Sequence, residues 1–317
     1  MRALVTGGAG FIGSTLVDRL LAEGHAVDVV DDLSTGSLAN LAAARAERDA
    51  DLRFHHLDIR APELRRLCER RRPEVVFHLA AQADVRVSVA DPLADADVNV
   101  MGSLNVLEAA RAGGAVKVVF AASGGTLYGE PAARDLPVRE SHPHRPLSPY
   151  GVSKKVVIDY LAVYRELHQL EYTALALANV YGPRQDPHGE AGVVAIFARR
   201  LLGGEPCTIY GTGEQTRDFV YVDDVVDAFV RAASRGSGLV VNIGTGTETT
   251  VHQLHATMAD AAGRPDAAVV RAPARAGELQ RSALDPGRAA IHLGWKPWTS
   301  LAEGTRAVLD WFAAGAR

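Results

Sequence analysis

Tyr150 and Lys154, in Tyr150-Gly151-Val152-Ser153-Lys154, have the types and the spacing of an acid–base pair. Four residues apart on a helix, both side chains lie on one face. A tyrosine hydroxyl ordinarily titrates near about 10. An ammonium nearby, joined by the positive charge of an oxidised nicotinamide, lowers that value and lets the phenolate act as a base. Lys154 is one of only four lysines, with Lys117, Lys155 and Lys296, in a chain that otherwise uses arginine.

A second constellation binds rather than reacts. Glycines 7, 10 and 13 stand in Thr6-Gly7-Gly8-Ala9-Gly10-Phe11-Ile12-Gly13. They follow an apolar strand pattern over Arg2 to Thr6 and open an amphipathic helix running from Phe11 to about Glu23. Gly7, Gly10 and Gly13 let the backbone turn sharply, approach a pyrophosphate and pack helix against strand. The phosphates then meet unpaired N–H groups at Phe11 and Ile12 and the positive end of the helix dipole. A second strand, Ala26 to Val30, ends in Asp31-Asp32, where a carboxylate can take the adenosine ribose hydroxyls. Strand, turn, helix, second strand and terminal acid in that order make a specific dinucleotide signal.

The elements around these residues alternate. Leu52–Leu57, Glu74–Leu79 and Val116–Ala122 read as strands; Pro62–Arg71 and the long Pro92–Ala112 read as helices. The expected fold is α/β, a doubly wound parallel sheet with helices on both faces. Ligands bind such sheets beyond the carboxyl ends of the strands. Asp58-Ile59, Leu79-Ala80-Ala81-Gln82 and Ser123-Gly124-Gly125-Thr126 all fall there. Asp58 could accept from adenine, and Ala80 and Ala81 are small enough for a cofactor to lie against the backbone. Gly129–Pro149, rich in proline and charge, is expected to run over the surface.

With 317 residues, 47% hydrophobic and 23% charged, the chain has the composition of a globular protein with one large or two modest domains. A net charge of −4 argues against a general polyanion binder. Cys68 and Cys207 offer neither a disulfide framework nor a metal cluster, so no metal is expected. No signal peptide fits before a strand that starts at residue 2, and no apolar run spans a bilayer. The expected location is the cytoplasm, and no nucleic-acid partner is expected.

These motifs, with Asn99-Val100-Met101-Gly102, Leu127-Tyr128-Gly129, Asn179-Val180-Tyr181-Gly182-Pro183 and Arg217-Asp218-Phe219-Val220-Tyr221-Val222-Asp223-Asp224, span essentially the whole chain. Together they resemble the extended short-chain dehydrogenase/reductases, the NAD-dependent epimerase/dehydratase kind, and most of all its UDP-glucose (UDP-galactose) 4-epimerase branch. The resemblance implies NAD rather than NADP, because Asp31 would repel a 2′-phosphate. Asp32, Ser34 and Thr35 would help hold that end of the cofactor, and Asn99 would be a structural or water-holding residue under the site. On the substrate side it implies Asn179, Val194, Arg217, Arg275 and Glu278 around the nucleotide sugar, with Tyr210 against uracil. Ser282 falls where a bulky residue can exclude N-acetylated sugars. It also implies a homodimer built on Pro92–Ala112 and Pro149–Leu170. The NAD domain would comprise residues 1–178 plus about 216–249, and the substrate domain about 179–215 plus 250–317.

One departure concerns the third catalytic group. The family places a serine or threonine four residues before the tyrosine matching Tyr128, and Gly124 stands there. Counting from the strand assigns Ser123, with Thr126 as the fallback. A hydroxyl is wanted there to relay a proton between Tyr150 and the sugar O4. The implied reaction is 4-epimerisation of a UDP-sugar through a 4-keto intermediate. A 4,6-dehydratase needs an Asp-Glu pair where Gly124-Gly125 stands, and a UDP-glucuronate decarboxylase needs a glutamate in that loop. A UDP-glucuronate 4-epimerase is the leading competitor, with Arg184 as the cation for a C6 carboxylate and Asp186 opposing it. A non-enzymatic NAD-sensing module usually lacks the Tyr/Lys pair that this chain keeps.

Overall fold

The first strand, Arg-Ala-Leu-Val-Thr, is buried on both faces beyond its first residue, the pattern of a strand inside a parallel sheet. The computed structural model describes residues 1–47, 50–187, 192–274 and 279–315. It runs β1 (Arg2–Thr6), α1 (Phe11–Ala22), β2 (Ala26–Asp31), a short α2 (Ala42–Ala46), β3 (Leu52–His56), α3 (Glu63–Arg71) and β4 (Val75–His78). Next come α4 (Val85–Ala90), α5 (Pro92–Ala96), α6 (Gly102–Gly113), β5 (Lys117–Ser123), the single turn α7 (Gly124–Leu127) and α8 (Pro149–His168). After β6 (Glu171–Leu177), β7 (Asn179–Tyr181), α9 (Val193–Gly203), β8 (Cys207–Tyr210), β9 (Thr216–Arg217) and β10 (Phe219–Tyr221), the chain returns through α10 (Val222–Ala232) to β11 (Leu239–Ile243). It closes with β12 (Thr249–Thr250), α11 (Val251–Ala261), β13 (Val269–Ala272), α12 (Gly287–His292) and α13 (Leu301–Ala313).

Seven strands form one sheet in the order β11-β6-β5-β4-β1-β2-β3, every pair parallel. The doubly wound expectation therefore holds. On one face α1 and α10 bury Leu16, Val17, Leu20, Val225 and Phe229, in a core that continues into α9, α11 and α13. On the other, α3, α6 and α8 bury Leu64, Leu107, Val157 and Leu161. The order reverses between β1 and β4, so the crevice opens beyond their carboxyl ends. No described helix is long and apolar enough to cross a membrane.

Pro92–Ala112 is helical throughout, as expected, with a π-turn over Asp97–Met101 between α5 and α6. The extra residue lets the Asn99 side chain serve the backbone of Gln82, as described below. Gly129–Pro149 does not merely cross the surface. Val138 is buried and bridges Leu284, its N–H donating to Ala283 O at 2.8 Å and its carbonyl accepting from Asp285 N at 2.8 Å. Backbone groups that pair across a buried bridge take a loop into the core despite its polar composition.

Candidate active site

Gly7 has φ +71, and a Cβ there would lie 2.7 Å from Ala80 N. The turn after β1 therefore packs on the backbone beyond β4. At Gly13 a Cβ would sit 2.0 Å from Gly7 O, so only glycine lets α1 close on the turn. Gly10 is the N-cap of α1 and offers no side-chain hydrogen bond. The first-turn N–H groups at Phe11 and Ile12 are thus left for an anion. Asp31 is buried at the end of β2, its Oδ2 accepting from Ala9 N at 2.9 Å and its Oδ1 from Leu33 N at 2.8 Å. Burial pushes its carboxyl up, and the two N–H donors oppose that. Asp32 folds back on Ser34, accepting from both its N–H and its hydroxyl, and Thr35 is exposed beside it. Asn40, which sequence reasoning missed, donates to Ala9 O at 2.9 Å and braces the turn. An uncapped helix N-terminus, a turn with no room for side chains and a carboxylate at the next strand end fit a dinucleotide.

Leu79, Ala80, Ala81 and Gln82 line the crevice after β4, all half-buried. Beneath them Thr6 Oγ1 meets His78 Nδ1 at 2.8 Å, and His78 Nε2 meets Ser103 Oγ at 2.8 Å. Burial holds this imidazole neutral, pushed down to about 3, which makes it a structural linker. The Asn99 amide accepts from Gln82 N and donates to Gln82 O, each at 2.9 Å. These bonds tie the π-turn to the crevice floor. Asp58 is bridged by the Arg60 guanidinium, which holds its carboxyl below the usual range and reaches Asp97 at 2.6 Å. Ile59 is buried against Gly102.

Ser123 ends β5, and Tyr150 enters at the first turn of α8, whose start is set by Pro149 and by Ser148 Oγ accepting from Gly151 N. The Ser123 side chain lies beside the Tyr150 phenol. Burial pushes that phenol up to about 12, with Ser123 pulling the other way. Thr126 turns its hydroxyl toward Ser123 O, at 3.5 Å. Lys154 is buried and donates to Ala121 O at 3.0 Å, its ammonium 4.8 Å from the Phe120 ring centre and 5.7 Å from that of Tyr150. Desolvation pushes the ammonium down to about 8, and a buried carboxylate, Asp95, works against that.

Among the residues expected around the sugar, Asn179 has its Oδ1 4.0 Å from where a Gly125 Cβ would be, so β7 starts beside the α7 turn. Val194 is fully buried in α9, its side chain part of the core. Tyr210 ends β8 half-buried, and Arg217 in β9 donates to Thr216 O at 2.7 Å. Ser282 is buried in a segment held from both sides. Gln280 N donates to Glu130, Gln280 O accepts from Thr216 N at 2.9 Å, and Leu284 N donates to Asp218 at 3.1 Å. Arg275 and Glu278 lie outside the described residues. Arg184 does not face this region: its guanidinium bonds Asp18 at 2.6 Å and Ser14 at 3.2 Å on α1. No cluster of ligands able to hold a metal occurs among the described residues.

A sequence model of the NAD dependent epimerase/dehydratase family matches residues 3–244. The chain belongs to that family. It is 52% identical over 313 residues to a UDP-glucose 4-epimerase of Mycolicibacterium smegmatis, covering 98% of each chain. The crystal structure of a Thermotoga maritima UDP-glucose 4-epimerase with UDP-glucose superposes with a TM-score of 0.95, at 46% identity and with 100% of each chain covered. That of a Thermus thermophilus UDP-glucose 4-epimerase complexed with NAD superposes with a TM-score of 0.91, at 44% identity and 99% coverage of each. Within this epimerase/dehydratase frame, Asn40, Arg60, Asp95 and Glu130 are the residues that sequence reasoning passed over. Asn40 and Glu130 meet their partners only through the fold, whereas Arg60 stands two residues from Asp58 and Asp95 four from Asn99, so their spacing was open to reading.

Proposed function

We propose that this chain is an NAD-dependent UDP-sugar 4-epimerase acting on UDP-glucose and UDP-galactose, with Tyr150, Lys154 and Ser123 as its proton-handling group. The observation that carries the reading is the meeting of half-buried Tyr150 and buried Lys154 with the Ser123 side chain at the carboxyl edge of the dinucleotide-binding sheet. Gly7, Gly10, Phe11, Ile12 and Gly13 would hold the pyrophosphate, and Asp31 the adenosine ribose. Ala80 and Ala81 would line the cofactor's path. When bound, oxidised NAD supplies the hydride acceptor for sugar C4, the donor that later returns it, and a positive ring charge beside the phenol. Tyr150, through Ser123, takes the O4 proton and gives it back. Lys154 keeps its positive charge next to the phenol, favouring the phenolate. Asn179, Tyr210 and Arg217 would hold the nucleotide end while the sugar turns.

Two competing reactions fit less well. Gly124 and Gly125 supply no acid for an elimination, and a Cβ at Gly124 would already lie 2.4 Å from Leu284 Cδ1. Arg184, the cation a C6 carboxylate would want, is committed to Asp18. Ser282 favours breadth instead: it is small, buried and backed by clamped backbone, so an acetamido group would fit where a tyrosine would block it. A homodimer is part of the same proposal. One face of α8 packs on the sheet, while Val152, Tyr160, Val163 and Leu167 lie exposed along the other. Leu93 and Met101 are exposed on the neighbouring segment. A helix apolar on both faces calls for a cover on each.

The test is incubation of purified protein, without added NAD, with UDP-galactose, UDP-N-acetylgalactosamine and UDP-galacturonate separately. The first should yield UDP-glucose and the second UDP-N-acetylglucosamine, with the third inert; no turnover of UDP-galactose would overturn the reading. Ser282→Tyr should lower kcat/KM for the N-acetyl pair selectively, and an unchanged ratio between the two pairs would remove Ser282 from the gate.

A further inference from the structure

Asp95 has no place in the proton path, yet it is the fully buried carboxylate nearest to it. At 0% exposure its Oδ1 accepts from Asn99 Nδ2 at 2.9 Å and from Gln82 Nε2 at 3.1 Å, and its Oδ2 accepts from Ser153 Oγ at 2.6 Å. All three donors are neutral. A buried anion satisfied only by neutral groups is costly unless a counter-charge lies near. Ser153 adjoins Lys154 on α8, and the Lys154 ammonium is itself buried, with a carbonyl as its hydrogen-bond acceptor. The Asp95 carboxylate is thus bonded to the residue beside Lys154, and both charges are buried with neutral groups as their hydrogen-bond partners.

We propose that Asp95 is the counter-charge of Lys154, a positioning residue that keeps the ammonium protonated beside the Tyr150 phenol through the working pH range. Gln82 and Asn99 tie it to the crevice floor, and Ser153 ties it to the catalytic helix, so one carboxylate sets both register and charge. Asp95 also opposes the downward push of burial on Lys154 and adds to the upward push on Tyr150. The other ionisable neighbours contribute no counter-charge. His78 on β4 is neutral, Asp97 on the π-turn is paired with Arg60, and Asp84 caps α4. On α8 itself, Lys155 is paired with Asp159. The proposal deepens the epimerase reading and rests on it for the role of Tyr150.

Asp95→Asn is the informative change. An amide is nearly the same shape, Ser153 can rotate its hydroxyl to accept from it, and only the charge is lost. A negative charge raises the pKa of phenol and ammonium alike, so its removal lowers both. The kcat–pH profile of the holoenzyme should therefore move to lower pH on both limbs, by about half a unit or more. Lower kcat at every pH with unmoved limbs would overturn the proposal. A second measurement needs no substrate: thermal unfolding of wild type, Asp95→Asn, Lys154→Met and the double variant at about pH 6 and about pH 9.5. The loss in Tm from Asp95→Asn should be largest at the lower pH, where the ammonium is charged, and should vanish when Lys154 is methionine. Additive losses would overturn it. If Asp95→Asn alone does not fold, the double variant should restore folding, and its failure to do so counts equally against the idea. Because unfolding is read without a UDP-sugar, the Asp95–Lys154 coupling stands or falls separately from the reaction assignment.

Discussion

Tyr150 carries two opposing demands. Burial raises its phenol to about 12, where a base is scarce at neutral pH, while the ammonium of Lys154 lies 5.7 Å from its ring and the Ser123 side chain beside it pulls the other way. A base so placed is worth about a hundredfold or more in rate. Tyr150→Phe should cut turnover by that order while leaving fold and cofactor affinity nearly intact, as read by circular dichroism and by calorimetry with NAD. Near-normal turnover would reject the assignment. The two hydroxyls of the loop differ in direction: Ser123 faces the phenol, and Thr126 turns back on Ser123 O. Ser123→Ala should accordingly cost more kcat than Thr126→Ala, and steady-state rates in the reverse order would move the relay to Thr126.

Elements, rather than single residues, hold these groups within reach of one another. The turn from β1 into α1 sits against Ala80, so the phosphate cradle and the crevice floor are one packed unit. Gly7→Ala would have to force a left-handed φ on a side chain, at about 1–2 kcal/mol, and also push back the Ala80 backbone. NAD affinity should fall at least about tenfold, because the displaced floor is where the cofactor would lie; unchanged affinity of the stripped protein would separate cradle from floor. The π-turn between α5 and α6 acts in the same way on the other side of the crevice, presenting Asn99 to Gln82 and Asp95 to α8. The Val138–Leu284 bridge joins the 129–149 segment to the segment bearing Ser282.

Across the whole molecule, the parallel sheet separates two cores, and α8 belongs to the second while turning an apolar stripe outward. Leu167 is 70% exposed and Leu93 82%. Pairing of two copies along that stripe would cover both and would brace the helix that carries Tyr150 and Lys154. Leu167→Glu combined with Leu93→Glu should then shift sedimentation from dimer to monomer. It should also lower Tm, since two apolar patches would remain in water and charge would enter the interface. A wild type that sediments as a monomer would defeat this.

Much of this was legible in the residues alone, because local physics fixes it. The Gly7, Gly10 and Gly13 spacing dictates a strand–turn–helix, the alternation of patterns dictates a parallel sheet, and four residues between Tyr150 and Lys154 dictate one helix face. Those signals are short-range and periodic, so a single sequence carries them. Which hydroxyl meets Tyr150 is another matter. Counting from the strand favours Ser123 with Thr126 as the fallback, but it is the fold that sets the Ser123 side chain beside the phenol. Arg184 stood as the cation for a sugar carboxylate, with Asp186 opposing it, until the fold gave Arg184 to Asp18 on α1, 166 residues away. The polar loop around Val138 reads as surface, yet its backbone finds a partner at Leu284 and goes inside. Asp95 looks like one more acid in an acid-rich segment. Its burial, its neutral donors and the nearby ammonium come from three separate elements, and contacts between distant elements leave no spacing in the sequence by which to recognise them.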